Sequence, residues 1–415
     1  MTMKRRTLLA LTLATSLTAP SLALAQSDPI KIGLLATFEG AFTVLGEDGE
    51  RGAMTAVDEF GGEVAGHEIE IIKGSSDASP DSAVRAARKL VEQDGVEILI
   101  GPLSGDEGIA IKDFAKTHPE VTFLNGSSAA QDTTLRDPAD NFYRFSTDGA
   151  QWMAGLGDYA YDEKGYRKVA TVAEDYSFPY TQVFGFMAEF CKAGGTVPSK
   201  SWVPIGNKDY SSVIAAIPDD VDAIYVALGG ADAVNFLSQY YDAGGQAPLL
   251  GGSITVDQTV LTAKGRMKDV LVGTPAAGPT ADTNDSEAWK EFTAAYKKQD
   301  GAFPSPSLFA HAYYVNMKAA LLALEEVDGE LSDDQQAFRD ALSSLEFETP
   351  TGKVSLDDNR NAVADMYLTE VTEAEDGTLV NELVKVTPQV NQTLGIDKEE
   401  FMALGAVSRE NPSCP

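Results

Sequence analysis

Two cysteines and three histidines in 415 residues leave little material for a disulfide-stapled scaffold or a histidine-rich metal centre. Basic residues are scarce too, with 32 Lys and Arg against 63 Asp and Glu, a net charge of −31. A chain this acidic is repelled by nucleic-acid backbones and anionic membrane surfaces, so neither is expected as its partner. No apolar run reaches the roughly 20 residues a spanning helix needs, so direct membrane insertion is not expected. There is no P-loop, no His-Glu-x-x-His and no calcium loop, and no cofactor or metal is expected. What is present is ordinary for a protein with a substantial core: 43% hydrophobic and 23% charged residues, in a length that suits two or three domains or one large two-lobed unit.

The N-terminus has the layout of a secretory signal. Lys4, Arg5 and Arg6 form a basic start, Thr7–Thr18 is apolar and small, and Ala23-Leu24-Ala25 is a small-x-small cleavage site. Cleavage before Gln26 is expected, giving a free protein in the periplasm, and the loss of three cations takes the net charge from −31 to −34. No cysteine near the cleavage site offers a lipid anchor. In that oxidising compartment Cys191 and Cys414 are expected to pair and pin the C-terminal tail to the body. The alternative is two unpaired thiols, one packed as a small hydrophobe and one on a frayed end.

Strand and helix signals then alternate along the chain. Ile30–Leu35, the stretch around Ile69, Ile71 and Lys73, Val96–Ile100 and Val121–Leu124 read as strands. Between them Arg51–Phe60, Asp81–Gln93 and Gly108–Lys116 have helical spacing. The pattern restarts with a helix capped by Asp148 and running to Tyr161, then strands at Lys168–Ala173, Thr196–Val203, Ala223–Leu228, Leu249–Leu250 and Val270–Val272. Helices are expected over Thr181–Lys192, Ala231–Ala243, Glu287–Gln299, Leu308–Glu325 and Asp334–Leu345, and extended chain over Met366–Val371 and Leu379–Val386. Near-continuous apolar strands alternating with helices argue for an α/β fold with parallel sheets covered on both faces.

Motifs of catalysis mostly fail. Gly101-Pro102-Leu103-Ser104-Gly105 has the wrong spacing for a nucleophile elbow. Gly155-Leu156-Gly157-Asp158-Tyr159-Ala160 fits a dinucleotide fingerprint in letters, but sits inside a predicted helix, where its glycines suit close helix packing. The histidines, at 67, 118 and 311, are scattered. The chain reads as a binding protein and not as an enzyme.

Polar loops at the carboxyl ends of the predicted strands remain, which is where open α/β sheets hold ligands. Ser104, Ser127 and Ser128 offer hydroxyls that suit a carboxylate, beside backbone N–H groups at helix starts. Tyr176, Phe178 and Tyr180 could wall an apolar ligand body, or pack the edge of their own lobe. Gly229 and Gly230 allow close backbone approach, and the Gly251-Gly252-Ser253 loop follows the next strand.

With the signal, the Ile30-Lys31-Ile32-Gly33 opening, Gly40–Gly46, Arg51–Phe60 with Gly61-Gly62, Ile100–Ser104, Tyr176 and Gln392-Thr393-Leu394-Gly395, the chain resembles type I periplasmic solute-binding proteins of ABC transporters, in the leucine/isoleucine/valine-binding family. The resemblance covers nearly the whole mature chain. It implies two Rossmann-like lobes joined by a three-crossover hinge, with residues 26–147 and 277–350 in one, 148–276 and 351–390 in the other, and 391–415 as a tail. It places first-lobe carboxylate contacts on Ser104, Gly105, Ser127, Ser128 and Ala129, apolar wall on Phe42 and Leu45, and second-lobe contacts on Tyr176, Phe178, Gly229, Gly230 and Ser253. Relatives that take branched-chain amino acids usually have threonine where Ala129 aligns and a glutamate where Ser253 aligns, and that glutamate holds the ligand's ammonium. A buried ammonium without a counter-charge is costly. The departure therefore points to a small carboxylate with an apolar or aromatic body, an aromatic acid or a keto acid, with a branched-chain or other hydrophobic amino acid as the alternative if Glu174, Asp175 or Asp257 turns inward. The resemblance implies a monomer that hands its ligand to an inner-membrane ABC permease. A periplasmic sensor for a signalling partner is a second reading, and a secreted hydrolase using Ser104 a third.

Overall fold

The structure, a computed structural model, describes residues 28–414, so the predicted secretory signal lies outside the described residues. Two β-sheets organise the chain. The first is six-stranded, in the order β2 (Glu63–Val64), β3 (His67–Ser76), β1 (Ile30–Thr37), β4 (Ile98–Ile100), β5 (Thr122–Leu124) and β6 (Phe142–Tyr143). Its strands pair in parallel except for the short β2–β3 hairpin. β1 and β4 carry runs such as Leu34, Leu35 and Ile98–Ile100 that are wholly buried, as strands covered on both faces must be.

The second sheet is nine-stranded and mixed. β7 (Val169–Glu174), β8 (Lys200–Val203), β9 (Ala223–Ala227), β10 (Leu249–Gly251) and β11 (Pro275–Gly278) are parallel. β12 (Phe347–Thr349), β13 (Gly352–Leu356), β14 (Ala362–Glu373) and β15 (Leu379–Val390) run antiparallel, with β14 beside β11. The sheets are thus mostly parallel, as expected, and the antiparallel pairing gathers at this edge, where short turns between β12, β13, β14 and β15 replace the crossover helices that parallel pairing needs.

The chain passes between the sheets after β6, after β11 and before β12. Residues between the last two passages return to the first sheet. There the helix Leu308–Glu326 packs on the helix Thr43–Glu59, and Tyr313 donates its hydroxyl to Leu35 O at 2.8 Å. The approach is so close that a Cβ on Gly52 would lie 1.9 Å from Ala310 O.

Three sequence expectations change. The apolar stretch Val270–Val272 is not a strand: the chain is helical over Met267–Leu271, Val272 is 48% exposed, and the sheet strand follows at β11. The Gly40–Gly46 loop is a short 3₁₀ turn running into a helix that starts at Thr43, because Gly46, Gly49 and Gly52 serve close packing. The helix expected from Asp148 to Tyr161 is two pieces, Gly149–Trp152 and Leu156–Asp162, broken at Gly155, whose φ is 91°. Asp148 does cap the first of them, accepting from the Ala150 and Gln151 amides.

Beside the first crossover lies a buried polar knot. Arg144 is fully enclosed and donates to Asn361 Oδ1 (2.7 Å), Ala130 O (2.6 Å) and Thr134 Oγ1 (2.6 Å), with Asp148 Oδ2 at 3.7 Å. Burial lowers its guanidinium to about 10, so it remains charged at neutral pH. Asn361 donates to Gln151, which donates in turn to Ala362 O and Val390 O. A charge this deep is tolerated only because its donors are satisfied.

Candidate functional site

The facing strand ends create the site. In the first lobe the chain leaves β4, turns through Pro102 and Leu103, and starts the helix Gly105–Ala115 at Ser104. Ser104 and Glu107 form a capping box: the Ser104 amide donates to Glu107 Oε2 at 2.9 Å, and the Glu107 amide donates back to Ser104 Oγ at 3.5 Å. Beside it Ser127, after β5, donates its hydroxyl to Leu103 O at 3.3 Å. In the second lobe β7 ends at Glu174, and Tyr176 opens the helix Ser177–Lys192. The helix Gly230–Asp242 starts directly after β9 and Gly229.

Between these loops lies a narrow cavity lined by Phe42, Leu45, Leu103, Ser104, Gly105, Ser127, Trp152, Tyr176, Phe178, Ile254 and Phe309. Only about 10 Å³ of it admits the centre of a water molecule, so the walls nearly touch. Aromatic rings run in a chain across it. Phe42 and Tyr176 have centroids 6.2 Å apart, Tyr176 and Phe178 6.1 Å, and Phe178 meets Trp152 edge to face at 5.6 Å. The lobes are in direct contact around it. Asp106 Oδ1 accepts from the Ser177 amide at 3.0 Å, and Asp257 Oδ2 accepts from the Leu308 amide at 2.8 Å. A Cβ on Gly105 would lie 2.6 Å from Ser177 Oγ and 2.8 Å from Phe178 N.

Of the sequence candidates, Phe42, Leu45, Ser104, Gly105, Ser127, Tyr176 and Phe178 converge on this cavity. Gly230 sits at its rim, with its Cβ position 3.1 Å from Ala41 O and 3.8 Å from the Phe42 ring. Four candidates lie elsewhere. The Ser128 side chain lies against Gly108 on the adjoining helix, and Ala129 uses its carbonyl to accept the Gly149 amide at the first crossover. Gly229 donates its amide to Glu174 Oε1 at 3.0 Å. Ser253 accepts from Gln182 Nε2 at 2.7 Å and lines a separate narrow cleft with Asp257 and Leu308. Leu103, Trp152, Ile254 and Phe309 were missed. Trp152 stands one turn after the Asp148 cap, and the other three sit beside glycine- or serine-rich turns, so burial of large apolar residues next to a polar loop was the available signal.

The acids considered as ammonium partners do not line the cavity. Glu174 is wholly buried, with one oxygen on the Gly229 amide, and burial, reinforced by nearby Asp232, holds its carboxyl well above the usual range. Asp257 caps the helix Gln258–Leu261 and reaches Leu308, and Asp175 faces away toward Arg409 and Tyr180. Burial also raises the Tyr176 phenol well above its usual range, so the wall is neutral.

Ser104 Oγ donates to Ala78 O at 3.1 Å, while His67, His118 and His311 contact Asp28, Phe114 and Thr351. No serine–histidine pair forms among these groups. Gly157 packs against the helix Ser177–Lys192, its Cβ position 2.6 Å from Phe186 O, as close helix packing requires. Among the described residues no cluster of His, Cys, Asp or Glu could hold a metal ion, and no helix is long and apolar enough to cross a membrane.

The family profile described as periplasmic binding protein matches residues 29–378. The Leu/Ile/Val-binding protein homolog 6 of Brucella melitensis is 25% identical over 367 residues, which are 87% of this chain and 92% of that protein. An ABC transporter substrate-binding protein from Sphaerobacter thermophilus superposes with a TM-score of 0.79 at 28% identity, covering 88% of this chain and 99% of the other. A solute-binding protein of an ABC transporter from Rhodopseudomonas palustris, solved with 3,4-dihydroxybenzoic acid, gives 0.80 at 25% identity, covering 88% and 98%. With this fold, two lobes meeting over an aromatic cleft, and a family match across most of its length, the chain belongs to the periplasmic binding proteins, the solute-binding components of ABC transporters.

Proposed function

We propose that the cleft takes a small carboxylate with an aromatic or other apolar body and no amino group, for delivery to an inner-membrane permease. The observation that carries this reading is the lining: eight apolar or aromatic side chains, two serines and a glycine, with no charged side chain. The carboxylate would sit at the first turn of the helix Gly105–Ala115, facing the amides that the Ser104–Glu107 box leaves uncapped, with the Ser104 and Ser127 hydroxyls turning to it from Ala78 O and Leu103 O. The ring would lie among Phe42, Trp152, Tyr176 and Phe178. An α-ammonium would enter the same space without a counter-charge, at a cost that a branched-chain amino acid cannot avoid. The ligand of the Rhodopseudomonas palustris relative, a dihydroxybenzoic acid, belongs to the proposed class, whereas the Brucella melitensis relative is named for amino acids.

The cavity is too narrow to admit such a ring as it stands, so entry requires the lobes to part. Hinge points at Ser146–Asp148, Thr274–Pro279 and Pro350–Gly352 would allow it.

A thermal-shift screen of residues 26–415 tests the reading. Benzoates and phenylpropanoid or keto acids are compared with leucine, isoleucine, valine and phenylalanine. A ligand at about 100 times its Kd adds roughly 2.7 kcal/mol of stability, a clear rise in Tm. Shifts only with acids that lack the amino group are expected; a larger shift with an amino acid would overturn the proposal.

A further inference from the structure

The last stretch of chain touches both lobes. Beside the first crossover, Gln392 Nε2 donates to Gln131 O (3.2 Å), Thr134 Oγ1 (3.0 Å) and Asp148 Oδ2 (3.0 Å). The short helix Lys398–Ala403 then packs Phe401 against Leu135 and Phe184, and Arg136 donates to Gly405 O at 2.7 Å. Beyond that point the segment runs over the second lobe. Trp202 Nε1 donates to Arg409 O at 3.3 Å, Lys200 Nζ donates to Pro412 O at 2.7 Å, and Cys414 is bonded to Cys191. Arg409 grips Asp175 with both Nε (2.7 Å) and a terminal nitrogen, and Tyr180 donates its hydroxyl to the same carboxylate. Asp175 immediately precedes Tyr176 in the cleft wall.

We propose that residues 391–414 form a strap that couples the lobes, and that Arg409 is the positioning residue through which it holds Asp175 and the start of the helix Ser177–Lys192, and so Tyr176, against the cleft. One end is tied near the hinge to Gln131, Thr134 and Arg136, the other is covalently fixed to the helix Ser177–Lys192. Parting of the lobes must therefore load the strap between Gly405 and Arg409. A bidentate Arg–carboxylate pair fixes direction as well as distance, which a single lysine contact would not. The role given to Tyr176 rests on the cleft being the ligand site. The test uses no ligand, so a failure of the strap and a failure of the ligand reading are separate results.

Hydrogen–deuterium exchange is followed on the whole chain 26–415 in three proteins: the parent, Arg409→Ala, and the double variant Cys191→Ser with Cys414→Ser. The Leu308 amide, held by Asp257 across the cleft and not by the tail, reports lobe contact. Both variants should speed exchange of the peptide carrying it by about tenfold while β9 exchanges as in the parent. Acceleration confined to Ser177–Thr181 would make Arg409 a local prop only and overturn the coupling. Equal acceleration in β9 would mean general loosening, and would overturn it as well.

Discussion

Asp257 spends both carboxylate oxygens on backbone, one on its own helix at Thr259 and one on Leu308 across the cleft. Burial pushes its carboxyl from 3.8 up to about 7, and does the same to Glu189, from 4.5 to about 7 beneath the Gly155 and Gly157 amides. Each takes up its proton more readily folded than unfolded, so each contributes stability that is full below about pH 4 and is lost as pH rises through 7. His311 works in the opposite sense: burial drops its ring from 6.5 to about 3, and its contribution is lost as pH falls through that interval. Two acids outweigh one histidine between pH 4.5 and 6.5. Tm should therefore fall from pH 5 to pH 7.5, and Glu189→Gln should flatten the fall, as melting curves across that range would show. Phe178, wedged between Trp152 and Tyr176, gives a second prediction at this scale. Phe178→Ala should cost about 3–5 kcal/mol in urea unfolding and remove the thermal shift produced by an aromatic acid.

Helices and strands were legible where pattern and length agreed. Leu308–Glu326 and β7 to β10 fall within a few residues of their expected places, because their apolar periodicity or continuity is backed by caps such as Ser307 and by terminal glycines. The first half of the helix Thr43–Glu59 was hidden. Its glycines at 46, 49 and 52 look like a loop locally, and only the partner surfaces of Thr37, Tyr313 and Ala310 explain them. The same limit applied to the site. Ser104 and Tyr176 stand at strand ends that the sequence marks, whereas Ser127, Ser128 and Ala129 share one loop, and the turn alone decides that Ser127 faces the cavity and the next two do not. Gly52→Ala puts the reading of that helix to the test. With Ala310 backbone in the way, the substitution should cost about 1–3 kcal/mol or more, measured by denaturant unfolding. An unchanged midpoint would mean the two helices are not in contact.

Across the whole molecule, the lobes meet through the Asp106 and Asp257 carboxylates and, at Gly105, through a contact with no room for a side chain on the first-lobe side. Gly105→Ala would place a methyl group against Ser177 and the Phe178 backbone. The expected outcome is a larger radius of gyration in small-angle scattering, and an affinity for an aromatic acid weaker by about tenfold, carried mainly by faster dissociation. The missing carbon at Gly105 bears on time more than on choice. In the proposed reading the rings and serines choose the molecule that settles in the cleft, and how near the rims can draw together sets how long it stays. For a carrier that crosses a compartment before unloading, that dwell would matter as much as the choice, and the proposed cleft would owe it to the one position with a hydrogen in place of a side chain.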